Sequence, residues 1–376
     1  SYIDEVAVLL ILVEAVRRRV FVKSNFKPLI IALIVLSAFL VDGVVGNLIN
    51  PYHQTLSNIL ADIIACLKFP IMSFVLMMMS EEGKSKASSY AMLLVEAKAL
   101  CVTMVVTAIV SVFADIGMSS TEIRYGLRGY IFIFDHPEVV NLLCVGLTVI
   151  FCGDFNRNGR WILLTQIPIV LTLRSKSFAF ATVVFLIFLA ITKKELARRC
   201  YWPMMTFIAL VAVLSVQHYY ADPEQARAQL LYGGVKIANA SFPFGLGFGS
   251  YGSAVTSTPQ GYSGVYDALG FDSVYGLSRS YSAFVSDTFW PIILGQFGWL
   301  GLAIVIISIG AVLKELNRRV KRNANPGYGM ATAIVVFYLL ISSMAGSAIF
   351  APMSIYLVIC LFFADQRMED QISCEP

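Results

Sequence analysis

Apolar runs recur along almost the whole chain, each bounded by charged residues or by clusters of Gly, Pro and Asn. Runs of this length with so few charges fit helices that cross a bilayer, where every backbone N–H and C=O has to be satisfied inside its own segment. The pattern predicts about eleven spans, at 3–16, 28–46, 59–79, 89–114, 137–152, 161–173, 177–192, 201–219, 288–312, 329–345 and 347–364. The sixth and seventh are short. At about 1.5 Å per residue, thirteen residues reach only about 20 Å against a hydrocarbon core of about 30 Å. Tilting, local thinning or a re-entrant course is therefore expected around Arg174 to Lys176. Between the eighth and ninth spans lies one long stretch, residues 220–287, rich in Gly, Ser and Tyr and poor in continuous apolar sequence. A loop this long is uncommon unless it is functional or disordered. Asp222-Pro223-Glu224 leads into a predicted helix over 225–239, with its acids in the first turn. The fold class that follows is an all-α integral membrane protein: one polytopic domain over 1–376, with 220–287 as its large external loop.

Composition agrees with this pattern. The chain is 58% hydrophobic and 14% charged, with a mean hydropathy of +0.75, whereas soluble domains carry about a quarter charged residues. A net charge of +4 gives no support to a nucleic-acid partner. The seven cysteines fall in apolar runs or beside segments assigned to the inner side, which argues against a disulfide framework, and none has zinc-site spacing. No charged, apolar and small-residue leader precedes the first span.

Charge placement changes the picture more than net charge does. Counting Lys and Arg in alternating loops puts nineteen of the 28 on one side: the loops at 17–27, 84–86, 157–160, 193–199 and 314–322, and Arg367. By the positive-inside bias that side is cytoplasmic, so the N-terminal end lies outside and the C-terminal end inside. Seven basic residues fall on the outer side: Arg124, Arg128, Arg174, Lys176, Arg227, Lys236 and Arg279. Most sit close to apolar borders, where a charge is costly unless an anion or a carboxylate meets it. A guanidinium fork suits phosphate oxygens, so an externally accessible phosphate ligand is the natural partner. The bland alternative is structural pairing with Glu122, Asp135, Glu138, Asp222, Glu224, Asp267, Asp272 and Asp287.

Other candidates are weaker. His53, His136 and His218 all map to outer ends of spans, and His136 is the best placed for proton transfer because it follows Arg128 in one segment. The stretch Phe242-Pro243-Phe244-Gly245-Leu246-Gly247-Phe248-Gly249-Ser250 has the look of a nucleotide loop but lacks the strand before it and the helix after it. A tight turn in which Gly245, Gly247 and Gly249 expose backbone donors to sugar or phosphate fits better; the competing reading is a close-packed loop. Asp287, at the start of the ninth span, stands where a general base for a sugar hydroxyl would stand, or it caps the helix. Asp42, Asp62 and Lys68 lie within spans, where ionisable groups are functional candidates by default.

Four features occur in the same order as in Wzy-type O-antigen and capsular polysaccharide polymerases of the O-antigen polymerase and ligase superfamily. They are Leu127-Arg128-Gly129 to His136-Pro137; Thr172-Leu173-Arg174-Ser175-Lys176; Arg227 through the glycine stretch to Gly249; and Ser286-Asp287-Thr288-Phe289-Trp290 through Gly301. The chain resembles that family from about 120 to 305. The resemblance implies a GT-C-like helical fold and glycosyl transfer at the outer face of the bacterial inner membrane. The implied partners are an undecaprenyl-pyrophosphate-linked glycan donor, a lipid-linked acceptor repeat unit and the lipid bilayer, with a chain-length regulator protein as an optional further one. Arg128, Arg174 and Arg227, and in second place Lys176 and Arg279, would hold the pyrophosphate. No cofactor or metal is implied, since a lipid-pyrophosphate donor removes the need for one, and Asp287 or His136 would take the acceptor proton. The related ligases generally carry a His-Asn pair where this chain has Ser286-Asp287, which leaves the base assignment open. A ligase, and a transporter of lipid-linked sugars, are the alternatives.

Overall fold

The computed structural model describes residues 3–20, 26–81, 87–322, 326–344, 346–347 and 349–372. Lys23, Lys84, Lys86 and Cys374 lie outside the described residues, as do the side chains of Lys27, His218 and Arg367. The described chain is mostly helical: α1 Ile3–Arg17, α2 Phe26–Ile49, α3 Leu56–Glu81, α4 Ala87–Phe113, α5 Pro137–Cys152, α6 Phe155–Leu164, α7 Gln166–Leu171, α8 Ser175–Thr192, α9 Lys194–Val216, α10 Ala226–Ala240, α11 Gly264–Ala268, α12 Trp290–Arg322, α13 Pro326–Ser343 and α14 Pro352–Ile372. Six stretches are long and apolar enough to cross a bilayer: Ile30–Ile49, Leu56–Met79, Tyr90–Phe113, Ser175–Thr192, Trp290–Arg322 and Pro326–Ser343. Pro137–Cys152 and Ser354–Asp365 are apolar but shorter. The chain has the character of an all-α membrane protein, with one departure: a two-stranded antiparallel hairpin, β1 Ser119–Arg124 and β2 Leu127–Tyr130.

The span expected at 161–173 is two short helices, α6 and α7. Pro168 has no N–H to give the Leu164 carbonyl and its ring crowds that turn, so α6 ends at Leu164. The first turn expected from Asp222-Pro223-Glu224 is instead a separate turn ahead of α10. The Asp222 carboxylate accepts the Glu224 N–H at 3.0 Å, and its carbonyl accepts the Gln225 N–H at 3.1 Å.

By contacts the chain forms two compact units. The first comprises residues 1–78, 216–317 and 339–355. Its organising feature is a break in α12 at Gly298, whose φ of 60° and ψ of −157° belong to a region essentially reserved for glycine. The break leaves the Gly295 and Gln296 carbonyls without the helix donors they would otherwise take, and the glycine stretch fills the gap. Leu246 N–H donates to Gly295 at 2.9 Å, Gly247 N–H donates to Gln296 at 2.8 Å, and Leu300 N–H donates back to the Pro243 carbonyl at 3.0 Å. Helices α2 and α3 complete the cradle. Asn47 accepts from Phe248 N–H and donates to its carbonyl, both at 2.9 Å, while Asn50 donates to the Leu246 carbonyl at 2.8 Å and Asp62 accepts the Gly249 N–H at 2.7 Å. Around this sit Phe39, Phe248, Phe289, Ile293 and Phe297, all buried.

The same unit turns the 220–287 stretch into ordered structure. Leu230, Ile237, Tyr251, Tyr262, Tyr266, Phe271 and Leu277 form one buried core. Their apolar positions are scattered in sequence and gather only through the turns between them. Buried tyrosine hydroxyls find carbonyls, Tyr251 that of Leu230 at 2.6 Å and Tyr262 that of Leu277 at 2.9 Å.

The second unit comprises residues 79–215, 318–338 and 356–376. At its centre is α5, buried on nearly every side, as a helix apolar all round must be. It packs against α4, α6 and α7. Gly146 admits the Tyr356 ring, which a Cβ would meet at 2.2 Å. The Tyr90 hydroxyl donates to the Ile150 carbonyl at 2.7 Å near the other end.

Gly298→Ala should destabilise the protein by about 3 kcal/mol or more, since it combines backbone strain with an overpacked contact: its Cβ would lie 2.2 Å from the Phe244 carbonyl oxygen. Gly117→Ala, also at positive φ but with nothing within 4 Å, should cost only about 1 kcal/mol. Thermal unfolding of both variants in detergent checks the contrast.

Candidate functional site: a basic cluster in the second unit

Three local devices assemble the cluster. The first is the hairpin, whose loop residues Tyr125 and Gly126 have φ of 53° and 80°, the geometry of a tight two-residue turn with both central residues left-handed. Side chains alternate along β1, so Glu122 and Arg124 share one face and Ile123 points to the other. Arg128 is paired directly with Ile123 and so shares Ile123's face. The second device is the corner before α8. Thr172, Asn141 and Ser177 form a buried hydroxyl and amide network, with Asn141 Nδ2 donating to Ser177 Oγ at 2.9 Å and the two hydroxyls 3.0 Å apart. Leu173 there has a φ of 56°, and the network holds the turn that presents Arg174 and Lys176. Gly129 lets the hairpin lie against this corner, since a Cβ would meet the Thr172 carbonyl oxygen at 2.7 Å. The third device is the start of α5, where His136 is the N-cap and Pro137 opens the helix.

Arg124 Nε lies 3.0 Å from Glu122 and Arg174 lies 3.5 Å from the same carboxylate. Lys176 Nζ is 2.5 Å from Glu138, whose other oxygen accepts the Tyr338 hydroxyl at 3.0 Å. His136 is within electrostatic reach of both carboxylates. Two arginines and a lysine thus share two glutamates, with a histidine between them. Arg174 and Lys176 are half-buried, which strengthens their field relative to a fully solvated charge. The hydrogen bond from Arg124, and then the charge of Arg174, hold the Glu122 carboxyl below the usual glutamate range.

His136 Nδ1 accepts the Glu138 N–H at 3.1 Å. A nitrogen that accepts carries no proton, so the neutral ring bears its proton on Nε2. The capping bond engages the Nδ1 lone pair.

The remaining sequence-predicted residues stand apart from this cluster. Arg128 pairs with Asp115 at 3.0 Å on the exposed opposite face of the hairpin, so the residue the fold brings to Glu122 is Arg124. In the first unit, both Arg227 Nε and a terminal guanidinium nitrogen reach Asp287 Oδ2, at 2.9 and 2.5 Å. Asp287 precedes the first residue of α12 by three positions, so its carboxylate serves Arg227 where a helix cap was the alternative. Arg279 lies over the Tyr262 ring at 4.8 Å and 2.9 Å from Asp267. Burial pushes the Tyr262 hydroxyl up to about 12, which keeps it neutral there. Lys236 is exposed on α10.

Gly245, Gly247 and Gly249 are buried, and the N–H groups of Gly247 and Gly249 go to Gln296 and Asp62. The expectation that this stretch exposes backbone donors is therefore corrected to its alternative, a close-packed loop. Lys68 meets Glu5 at 3.3 Å. Asp42 is 2% exposed, and among the described residues neither of its carboxylate oxygens finds a hydrogen-bond donor, against the space that Gly301 leaves open.

Sequence reading undervalued Arg124, Glu122 and Glu138. A signal for Arg124 was present: Tyr125-Gly126 marks a tight turn, and strand alternation from it would have put Arg124 and Glu122 on one face.

No family model, curated protein or solved structure matches the chain.

Arg124→Ala should raise the Glu122 pKa toward its ordinary value, and Arg174→Ala should raise it by less, because the hydrogen bond from Arg124 is the larger cause. A group with a depressed folded pKa contributes stability above its unfolded pKa and loses it as pH falls through the folded value. Carbon-13 carboxyl titration of Glu122 in the two variants checks the order.

Proposed function

We propose that the chain is a membrane glycosyltransferase of the polysaccharide polymerase kind, which transfers an undecaprenyl-pyrophosphate-linked glycan onto a second lipid-linked repeat unit. The observation that carries this reading is the cluster of Arg124, Arg174 and Lys176 around Glu122 and Glu138, with His136 in electrostatic reach of both carboxylates. These residues belong to loops that the Lys and Arg bias assigns to the outside. Breaking the anomeric bond to pyrophosphate builds negative charge on the leaving oxygens. Cations positioned beside those oxygens stabilise that charge. Arg174 stands at the centre of this reading, half-buried and 3.5 Å from Glu122.

The pair Arg227 and Asp287 is read as one device. Asp287 positions the guanidinium and releases it to an incoming anion, while the base that takes the acceptor proton is Asp287 or His136, the two candidates of the resemblance. The ligase and transporter alternatives differ in product. Given lipid-linked repeat units alone, a polymerase lengthens them, a ligase leaves them unchanged, and a transporter moves them across a vesicle bilayer at constant length.

Arg174→Ala should reduce chain extension by about a hundredfold or more, the usual cost of removing one donor to a developing oxyanion. Unfolding in detergent should be unchanged, and extension at the wild-type rate would sink the reading. Asp287→Asn should slow extension, and combined with Arg227→Ala should add little to the single Arg227 loss, since residues acting as a unit are not additive. Full activity of Asp287→Asn would remove it from both roles.

A further inference from the structure

The segment 275–284 folds into a small surface hairpin. Tyr281 N–H donates to the Ser278 carbonyl at 3.1 Å, and Phe284 N–H donates to the Gly276 carbonyl at 2.9 Å. It gathers three aromatic rings. The centroids of Tyr275 and Tyr281 are 5.1 Å apart, Tyr275 and Phe284 5.8 Å, and Tyr281 and Phe284 6.2 Å. Gly276, at a φ of 85°, makes room for this packing, because a Cβ there would sit 2.0 Å from the Phe284 ring. Phe284 reaches down to the buried tyrosine core and anchors the group, while Tyr275 is 74% and Tyr281 44% exposed.

Large exposed rings on a rigid base signal a binding surface. Their surroundings decide the occupant. The exposed residues next to the rings are Asp272, Ser273, Arg279, Ser280 and Ala283. All but Ala283 are polar, and a single methyl group makes no aliphatic rim for an acyl chain. The Ser278 and Ser280 hydroxyls lie 3.2 Å from each other, and Arg279 is fixed beside them by Tyr262 and Asp267. A pyranose ring presents this pattern in complement: an apolar face of C–H bonds that stacks on an aromatic face, and a rim of hydroxyls that needs short donors and acceptors.

We infer that Tyr275, Tyr281 and Phe284 form a carbohydrate-binding platform on which sugar rings of a glycan chain stack, while Ser278, Arg279 and Ser280 hydrogen-bond the sugar hydroxyls. The identity of the glycan as the polymerase substrate rests on the proposed function; the platform itself does not. Arg279 accordingly belongs to sugar recognition, and the pyrophosphate role falls to other arginines.

The test uses the full chain in detergent and, as probe, the mixed glycans released by mild acid from the lipid-linked oligosaccharides of its own cells, freed of lipid and phosphate. Saturation-transfer NMR should show sugar protons in contact with the wild-type protein. Tyr275→Ala with Tyr281→Ala should weaken binding by about tenfold or more, whereas Tyr281→Phe, which keeps the ring, should stay within about threefold. Equal binding by the double variant, or no contact with any released glycan, overturns the inference. So does a loss confined to vesicles of phosphatidylethanolamine and phosphatidylglycerol, which would make the rings a lipid anchor. Glycan binding without chain extension would leave the platform standing and remove the polymerase reading; extension unaffected by the double variant would leave the polymerase reading standing and overturn the identity of the platform's glycan as its substrate.

Discussion

The exchange of backbone hydrogen bonds at the break in α12 is the constraint on which the first unit depends. Within an apolar environment, a carbonyl or N–H without a partner costs several kcal/mol, so a helix interrupted at Gly298 is tolerable only if another segment supplies the missing partners. The Phe242 to Ser250 stretch does so, donating from Leu246 and Gly247 and accepting from Leu300. Its own remaining groups then need partners, which Asn47, Asn50 and Asp62 provide from α2 and α3. Close approach of this kind leaves no volume for side chains. That is why Gly46 and Gly247 face each other where a Cβ on Gly46 would lie 2.6 Å from the Gly247 nitrogen. The glycines serve the protein's own backbone, and Asp62, an ionisable residue within a predicted span, is explained by the N–H it accepts.

The basic cluster of the second unit has the same logic at smaller scale. The Thr172, Asn141 and Ser177 network satisfies a buried corner with neutral groups, and the charges stand immediately beyond it. A corner held by neutral hydrogen bonds keeps its shape when an ion pair opens. The turn that presents Arg174 and Lys176 is therefore held by bonds other than their ion pairs.

The sequence made the membrane character legible because hydropathy in a long helix is a sum over many residues, and six of the expected spans reappear as long apolar helices. It made the helix after 225 legible to within a residue or two. The hairpin was not legible as strands, because Ser119 to Tyr130 lacks alternating apolar positions and only its turn carries a signal. Nor was the buried core of 220–287, whose members Leu230, Tyr251, Tyr266 and Leu277 have no common period and meet only through tertiary turns. Of the candidate site, the residues at 124, 174 and 176 were visible as basic charges out of place. Glu122 and Glu138 were among the carboxylates named as pairing partners, but which cation each meets was not legible, because that depends on which face of a strand or helix each residue takes.

Carboxylate pairing does not by itself argue against an anion site; what matters is how firmly each cation is held. Exposed ion pairs contribute only about 0–1 kcal/mol. Arg174 meets Glu122 at 3.5 Å, and Glu122 is more than half exposed and already hydrogen-bonded to Arg124. Arg227 is held differently, with two nitrogens on one oxygen and a side chain 16% exposed. Within their own units, the contact that Arg174 makes with Glu122 is thus longer than those that Arg227 makes with Asp287.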